Sequence, residues 1–202
     1  AFAFQPLRER IQGIINLTFG KTQSLYREQL QTFSRELTQS LDLRGVSDTL
    51  RHFIQSTVAP MHLHFFVFDP GTDQYVATPD ETGRPSSDLY FSEVSGLVKT
   101  LSNQRAPLFL EETKTIPLAL QSEQARLNLL GSQLFVPLPG RTRLVGWLSL
   151  GQHRSGEPYG SAELSFLESL SDQAALATER AQVLTDLEQR VHAMNVLTRI
   201  SQ

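Results

Sequence analysis

The run MHLHFFVF, residues 61–68, sets His62 and His64 two apart in an otherwise apolar stretch. On a β-strand, residues i and i+2 share a face, so both imidazoles would project to one side of a sheet. Neutral imidazoles are ligands for metals and haem, but a protein metal site needs about three converging ligands. The remaining histidines are His52, His153 and His192. Of these, only His52 could lie near the base of the strand. The competing reading is a pocket floor whose polar end is formed by His62 and His64, hydrogen-bonded to loop or helix-terminal groups. Phe66 and Phe68 continue their face, while Leu63, Phe65 and Val67 form the other and would meet helices. Both faces are apolar, so this strand alone does not say which one lines a pocket.

Other chemistry is scarce. The chain has no cysteine, which removes disulfides, thiolate nucleophiles, cysteine zinc sites and iron–sulfur clusters. No glycine-rich phosphate cradle, Ser-His-Asp order or paired carboxylate set stands out. Glu111 and Glu112 read as a solvated strand end, and Trp147 reads as core. A formal charge of −3 without a basic stripe gives no footing for nucleic acid. The 202 residues, 40% hydrophobic and 19% charged, have an ordinary globular composition. No apolar run reaches the roughly 20 residues of a membrane span. The chain opens on AFAF and closes on RISQ, and it reads as an excised piece of something longer.

The elements that must position these residues follow from periodicity. Leu7, Ile11, Ile14 and Ile15 share a helical face, as do Tyr26, Leu30, Phe33, Leu37 and Leu41, with a break near Gly20. A helix over 47–58 buries Val46, Leu50, Phe53, Ile54 and Val58, and Pro60 ends it. HLHFFVF, the turn DPGTD and QYVAT make a hairpin. After a Pro/Gly/Ser-rich loop, a serine-capped helix presents Val94, Leu97, Val98 and Leu101 to the sheet. APLFLEE is a short strand, and TKTIPLALQSEQARLNLLG is a loop with helical pieces that Pro117 interrupts. SQLFVPLP and RLVGWLSLGQ form a second hairpin around PGRT. From Ser161 onward one helix runs without glycine or proline. The sum is an α+β domain, an antiparallel sheet of five to six strands with helices on its faces, between two extended helical segments.

The segment LVGWLSLGQHRSGEPYGSAELSFLESLSDQAALATERA resembles the closing part of GAF domains: a V-G-x-L-x-L-G strand end, a loop, an acidic helix start, and D-Q-A-A-x-A. Upstream, LDLRGVSDTLRHFIQSTVAPMHLHFFVFD is similar to the opening helix and first strand, and LLGSQLFVPLP to the approach to the hairpin. The resemblance spans about residues 45–182 and implies a sensory or relay role. Family activities that need cysteine, methionine sulfoxide reduction and bilin attachment, are excluded here. The cyclic-nucleotide constellation cannot be traced, since Asn103 is followed by Gln104 rather than lysine. FQPLRERIQGIINLTFG is similar to the segment after the last membrane helix of bacterial sensor histidine kinases, with Arg8 and Arg10 as its positive flank. No histidine follows the phospho-acceptor H-E-x-x-x-P pattern.

In the terminal helix Ala174, Ala177, Ala181, Leu184, Leu187, Val191 and Met194 are spaced by threes and fours, as in a coiled-coil seam. Leu164, Phe166, Leu167 and Leu170, nearer its start, suit packing on a sheet. The expectation is a cytoplasmic GAF module of an inner-membrane-anchored sensor kinase. Juxtamembrane and signalling helices would occupy 1–44, the GAF domain 45–182, and a coiled-coil connector 183–202. A parallel homodimer would form through Leu30, Phe33, Leu37, Ala177, Ala181, Leu184, Leu187, Val191 and Met194, with a kinase or second GAF module downstream. A pocket is expected between one sheet face and residues 91–130, lined by His62, His64, Phe66, Phe91, Phe109, Leu134 and Trp147. Its ligand would be small and apolar or aromatic, with no resident cofactor. The alternatives are a ligand-free dimerisation and transmission module, and a metal or haem sensor using the strand histidines.

Overall fold

The computed structural model describes residues 24–80, 82–110 and 116–200, the last with side chains through 187 and at 191. The expected helical face at Leu7–Ile15, the break at Gly20, Arg8, Arg10, Glu111, Glu112 and the Met194 side chain lie outside what is described. Six strands form one antiparallel sheet in the order β3-β2-β1-β6-β5-β4. They are β1 (Leu63–Asp69), β2 (Gln74–Ala77), β3 (Tyr90–Ser92), β4 (Leu108–Phe109), β5 (Leu134–Pro139) and β6 (Leu144–Leu150). The α+β class and the two hairpins agree with the periodicity; β3, a three-residue edge strand beside β2, carried no signal of its own.

Helices cover both faces. On one lie α1 (24–39), α2 (Leu43–Thr57) and α5 (Ser161–Ile200). On the other lie α3 (Gly96–Gln104), a 3-10 helix (Leu118–Glu123) and α4 (Gln124–Leu130). α2 starts a turn earlier than its apolar pattern implied, because the Asp42 carboxylate accepts the Gly45 N–H at 2.7 Å and caps it. In α3 the cap is Ser95, whose Oγ accepts the Val98 N–H. Val94 therefore precedes the helix and is 72% exposed rather than turned to the sheet.

The two faces carry separate cores. Leu63, Phe65 and Val67 join Phe33, Leu50, Phe53, Ile54, Leu134, Leu148, Phe166, Leu167 and Leu170 on the α1/α2/α5 side. Phe66 and Phe68 join Tyr75, Phe91, Leu97, Leu101, Leu120, Leu127, Phe135 and Trp147 on the other. Register explains the division: His64 pairs with Ser149 and Phe66 with Trp147, so these four share a face. Pro137 is tolerated within β5 because β4 pairs only with Leu134 and Phe135 and ends before reaching it. At Gly146 an added Cβ would collide with the Phe66 carbonyl, so glycine lets β1 and β6 approach there.

α1 and α5 run side by side in the same direction. Tyr26 stacks on Phe166 with ring centroids 4.8 Å apart, and further along Arg180 donates to the Ser40 carbonyl at 3.3 Å. The 40-residue α5 spans about 60 Å and outlasts α1. Near the end of the body it is gripped twice: Arg141 N–H donates to Glu179 Oε1 at 3.0 Å, and Gln182 Nε2 donates to the Phe68 carbonyl at 2.8 Å. No helix among the described residues is long and apolar enough to cross a membrane.

Candidate functional site

The sheet face beneath α3, the 3-10 helix and α4 holds most of the residues singled out in the sequence. Its centre is aromatic. Phe66 stacks on Trp147 at 4.9 Å and 11°, and Phe91 stands edge-on to both at 5.5 and 5.4 Å. All three have 0% exposure, so side chains fill this part of the face. Tyr75 closes one side; its hydroxyl donates to the Leu144 carbonyl at 2.8 Å, and burial pushes its pKa up to about 12. Alternation in QYVA places Tyr75 on this face, but nothing in the sequence marked its carbonyl partner.

His62 and His64 lie at one end of the face, with ring centroids 6.1 Å apart. His62 is exposed and its Nε2 lies 2.7 Å from the Gly131 carbonyl, at the C-terminal end of α4. Gly131 adopts φ 60°, a left-handed conformation that ends the helix and turns this carbonyl toward the ring. His64 is half-buried. Burial lowers its pKa, the nearby His62 adds to the lowering, and a hydrogen bond with the Ser86 backbone opposes it. Its Nδ1 has no partner, nor have the buried Nε1 of Trp147 and the Oγ atoms of Ser149 and Ser86.

Two expected lining residues stand elsewhere. Leu134 pairs with Leu150 and belongs to the opposite core, because β5 places Phe135 on the pocket face instead. Phe109 sits on edge strand β4 and is 43% exposed. Among the described residues no group of three or more His, Asp or Glu is placed to hold a metal ion. His52 packs on Phe53, and His153 Nε2 lies 3.4 Å from Glu163 Oε1, so neither joins the strand pair.

One group escaped the sequence entirely. Glu123, 7% exposed, accepts N–H bonds from Gly96 at 3.2 Å and Leu97 at 3.0 Å through its two carboxylate oxygens. It thus places a negative charge at the positive end of α3 and ties the 3-10 helix to it. Close contact is possible only because residue 96 is glycine, since a Cβ there would overlap the Ala119 carbonyl. Arg126, on the next helix, lies over the Phe91 ring at 4.4 Å.

The expected dimer residues divide into two sets. Phe33, Leu37 and Ala177 are 0–7% exposed and are spent on packing within the chain, because α1 folds onto α5, and Ala181 is likewise buried at 2%; this corrects their assignment to an interface. Leu30 is partly buried against the same core. Leu184, Leu187 and Val191 are 41%, 52% and 59% exposed, as are Leu176 at 62% and Val183 at 58%.

Several solved structures share the fold at low identity. A methyl-accepting chemotaxis protein, residues 122 to 287, superposes with TM-score 0.59 at 14% identity, covering 75% of this chain and 98% of that one. The GAF domain of an Acinetobacter phosphoenolpyruvate-protein phosphotransferase gives 0.58 at 16%, covering 80% and 98%. The GAF domain of a two-component sensor histidine kinase from Bacillus halodurans gives 0.52 at 18%, covering 72% and 99%. No curated protein matches the chain. The family model for the GAF domain matches residues 40–179, over half of the sequence, and the chain belongs to the GAF domain family.

Proposed function

We propose that this GAF domain is a non-catalytic relay module of a signalling protein, carrying a conformational change from α1 past the sheet and out along α5 in a parallel homodimer. One observation carries the reading: α1 and α5 are parallel neighbours, and α5 leaves the body with Val183, Leu184, Leu187 and Val191 exposed along it. Leu184, Leu187 and Val191 fall three and four apart, the seam spacing of a two-stranded coil. A second copy offers the same stripe at the same height, and two helical packings of similar energy would give a switch. The chemotaxis and histidine-kinase proteins of similar fold support a signalling context. In this reading the parent is a membrane-anchored sensor kinase, with the module on the cytoplasmic side and a kinase core or second GAF module downstream.

The filled aromatic centre favours one variant, transmission without a resident ligand, with the His62–His64 end as the remaining polar part of the pocket. No described residue supplies a third ligand to the histidine pair, so no observation favours the metal or haem sensor.

The test is the mass of the purified chain by light scattering at micromolar concentration. A dimer is expected, and Leu184→Ser with Leu187→Ser should convert it to a monomer of unchanged circular dichroism. Because the chain has no cysteine, Val191→Cys gives an unambiguous orientation test. It should oxidise to a covalent dimer only if the helices are parallel and in register. A monomeric wild type would overturn the proposal.

A further inference from the structure

The exposed stripe of α5 begins inside the body, before the helix leaves it. Leu176 is 62% exposed, although Ala175 and Ala177 on either side of it are buried. Among the described residues it is the only large apolar side chain of α5 exposed ahead of Val183. Leu176, Val183, Leu187 and Val191 are each more than half exposed and fall seven, four and four apart, on one side of the helix.

Beside Leu176 runs a groove between the two parallel helices. Ser34, Leu37 and Thr38 of α1 and Gln173, Leu176 and Arg180 of α5 line a cavity of about 330 Å³. A second cavity of about 330 Å³ continues it toward the start of both helices, where Arg27 and Leu30 face Ser165 and Ser169. The small side chains at Ser34, Thr38, Ser165 and Ser169 leave room for another helix to approach closely. Gln173 stands in this groove with an unpaired amide: its Oε1 is turned inward and accepts no hydrogen bond. A half-turn about the last side-chain bond exchanges the two amide atoms and brings the oxygen to the groove. A carboxamide donates and accepts at once, so a two-fold axis that sets it against its own copy satisfies both. Arg180, on the same line, is drawn aside to the Ser40 carbonyl at 3.3 Å, which keeps its charge out of the path of a like charge.

The size of the tail seam argues for the same occupant. Val183, Leu184, Leu187 and Val191 span about two and a half helical turns. Four aliphatic side chains cover far less than the roughly 800 Å² per partner of a stable interface, so a dimer begun on the tail needs adjoining surface, and the stripe continues into this groove.

We propose that a second copy's α5 lies along the α1–α5 groove, extending the parallel dimer from the tail back to Gln173, and that the two Gln173 carboxamides hydrogen-bond across the axis and set its register. The proposal rests on the dimer of the relay reading and adds its course over the body and the residue that aligns it.

Single cysteines test it in a chain that has none. Leu176→Cys should oxidise to a covalent dimer as fully as Val191→Cys, because seam positions of parallel helices bring Cβ atoms within disulfide reach. Glu168→Cys, about a quarter-turn round α5 from the stripe, should stay unlinked. Gln173→Ala should raise the dimer dissociation constant about tenfold in sedimentation, with unchanged circular dichroism. Full linkage at residue 191 with none at residue 176 overturns the groove proposal and leaves the tail dimer standing. Linkage at neither, with a monomeric wild type, removes the relay dimer as well. Equal linkage in Glu168→Cys, or an unchanged dissociation constant in Gln173→Ala, also overturns the proposal.

Discussion

Removal of the Glu123 carboxylate tests whether a single side chain holds the helical cover to the sheet. Glu123→Ala leaves the Gly96 and Leu97 N–H groups without acceptors in a site where Glu123 itself is 7% exposed. A buried amide left unsatisfied costs about 1–3 kcal/mol. Two of them, partly rehydrated as the 3-10 helix shifts, should cost about 2–4 kcal/mol. At about 2–4 °C per kcal/mol for a chain of this size, the melting temperature should fall by roughly 5–15 °C. Glu123→Gln retains one acceptor oxygen and should lose about half as much. Urea denaturation measures the cost, and hydrogen exchange locates it: amides 96–98 and 118–130 should exchange faster while those of β6 stay protected. Glu168→Ala, an exposed carboxylate on α5, is the control and should stay within about 0.5 kcal/mol of wild type. If Glu123→Ala were equally silent, the carboxylate would not be holding α3, and the described link between the 3-10 helix and α3 would be mistaken.

Acidification should destabilise the domain through His64. Its pKa is lowered by burial, so the unfolded chain takes the proton first; stability is full above the ordinary histidine pKa of about 6.5 and declines as pH falls below it toward the folded-state value. Urea midpoints at pH 7.5 and pH 5 should show the loss, and His64→Gln should flatten it; an identical slope in the variant would remove His64 as the cause. Gly96→Ala should cost more than about 2 kcal/mol, since the new methyl must displace the Ala119 backbone, whereas the usual helix propensity effect would favour alanine by up to about 1 kcal/mol. A stabilised Gly96→Ala in thermal melts would contradict the close approach. Tyr75→Phe should cost about 1 kcal/mol by stripping the Leu144 carbonyl of its donor, measured in urea; no change would mean that water replaces the hydroxyl.

The strand pattern was legible because alternation is a local property. LHFFVFD and LVGWLSL are rich in aromatic and other large apolar residues, and their hairpin partners follow from tight turns. Phe65 and Phe66 could be assigned to opposite faces from spacing alone, although which helices met each face could not. Leu134 was misplaced because LFVPLP is apolar on both sides, so its phase is fixed only by pairing with β6. Phe33, Leu37 and Ala177 have seam-like spacing because a neighbouring helix does bury them, but that helix belongs to the same chain. Heptad spacing reports that a helix has a partner and not whose it is. Glu123 was invisible for another reason: a charged residue in a polar stretch looks solvated until folding brings other backbone groups to it. The parallel pairing of α1 with α5, shown by Tyr26 on Phe166 and by Ser40 with Arg180, has the same long-range origin.

An unbroken α5 makes angle as well as distance part of the output. Each residue turns the helix by about 100° and advances it about 1.5 Å, and neither glycine nor proline interrupts it to absorb an error. One residue inserted just after Gln182 would swing everything beyond it through more than a quarter-circle, whereas seven would restore the heading within about 20° and merely lengthen the rod. Any reporter fused at the far end inherits that phase, so its performance against linker length should rise and fall with a seven-residue beat.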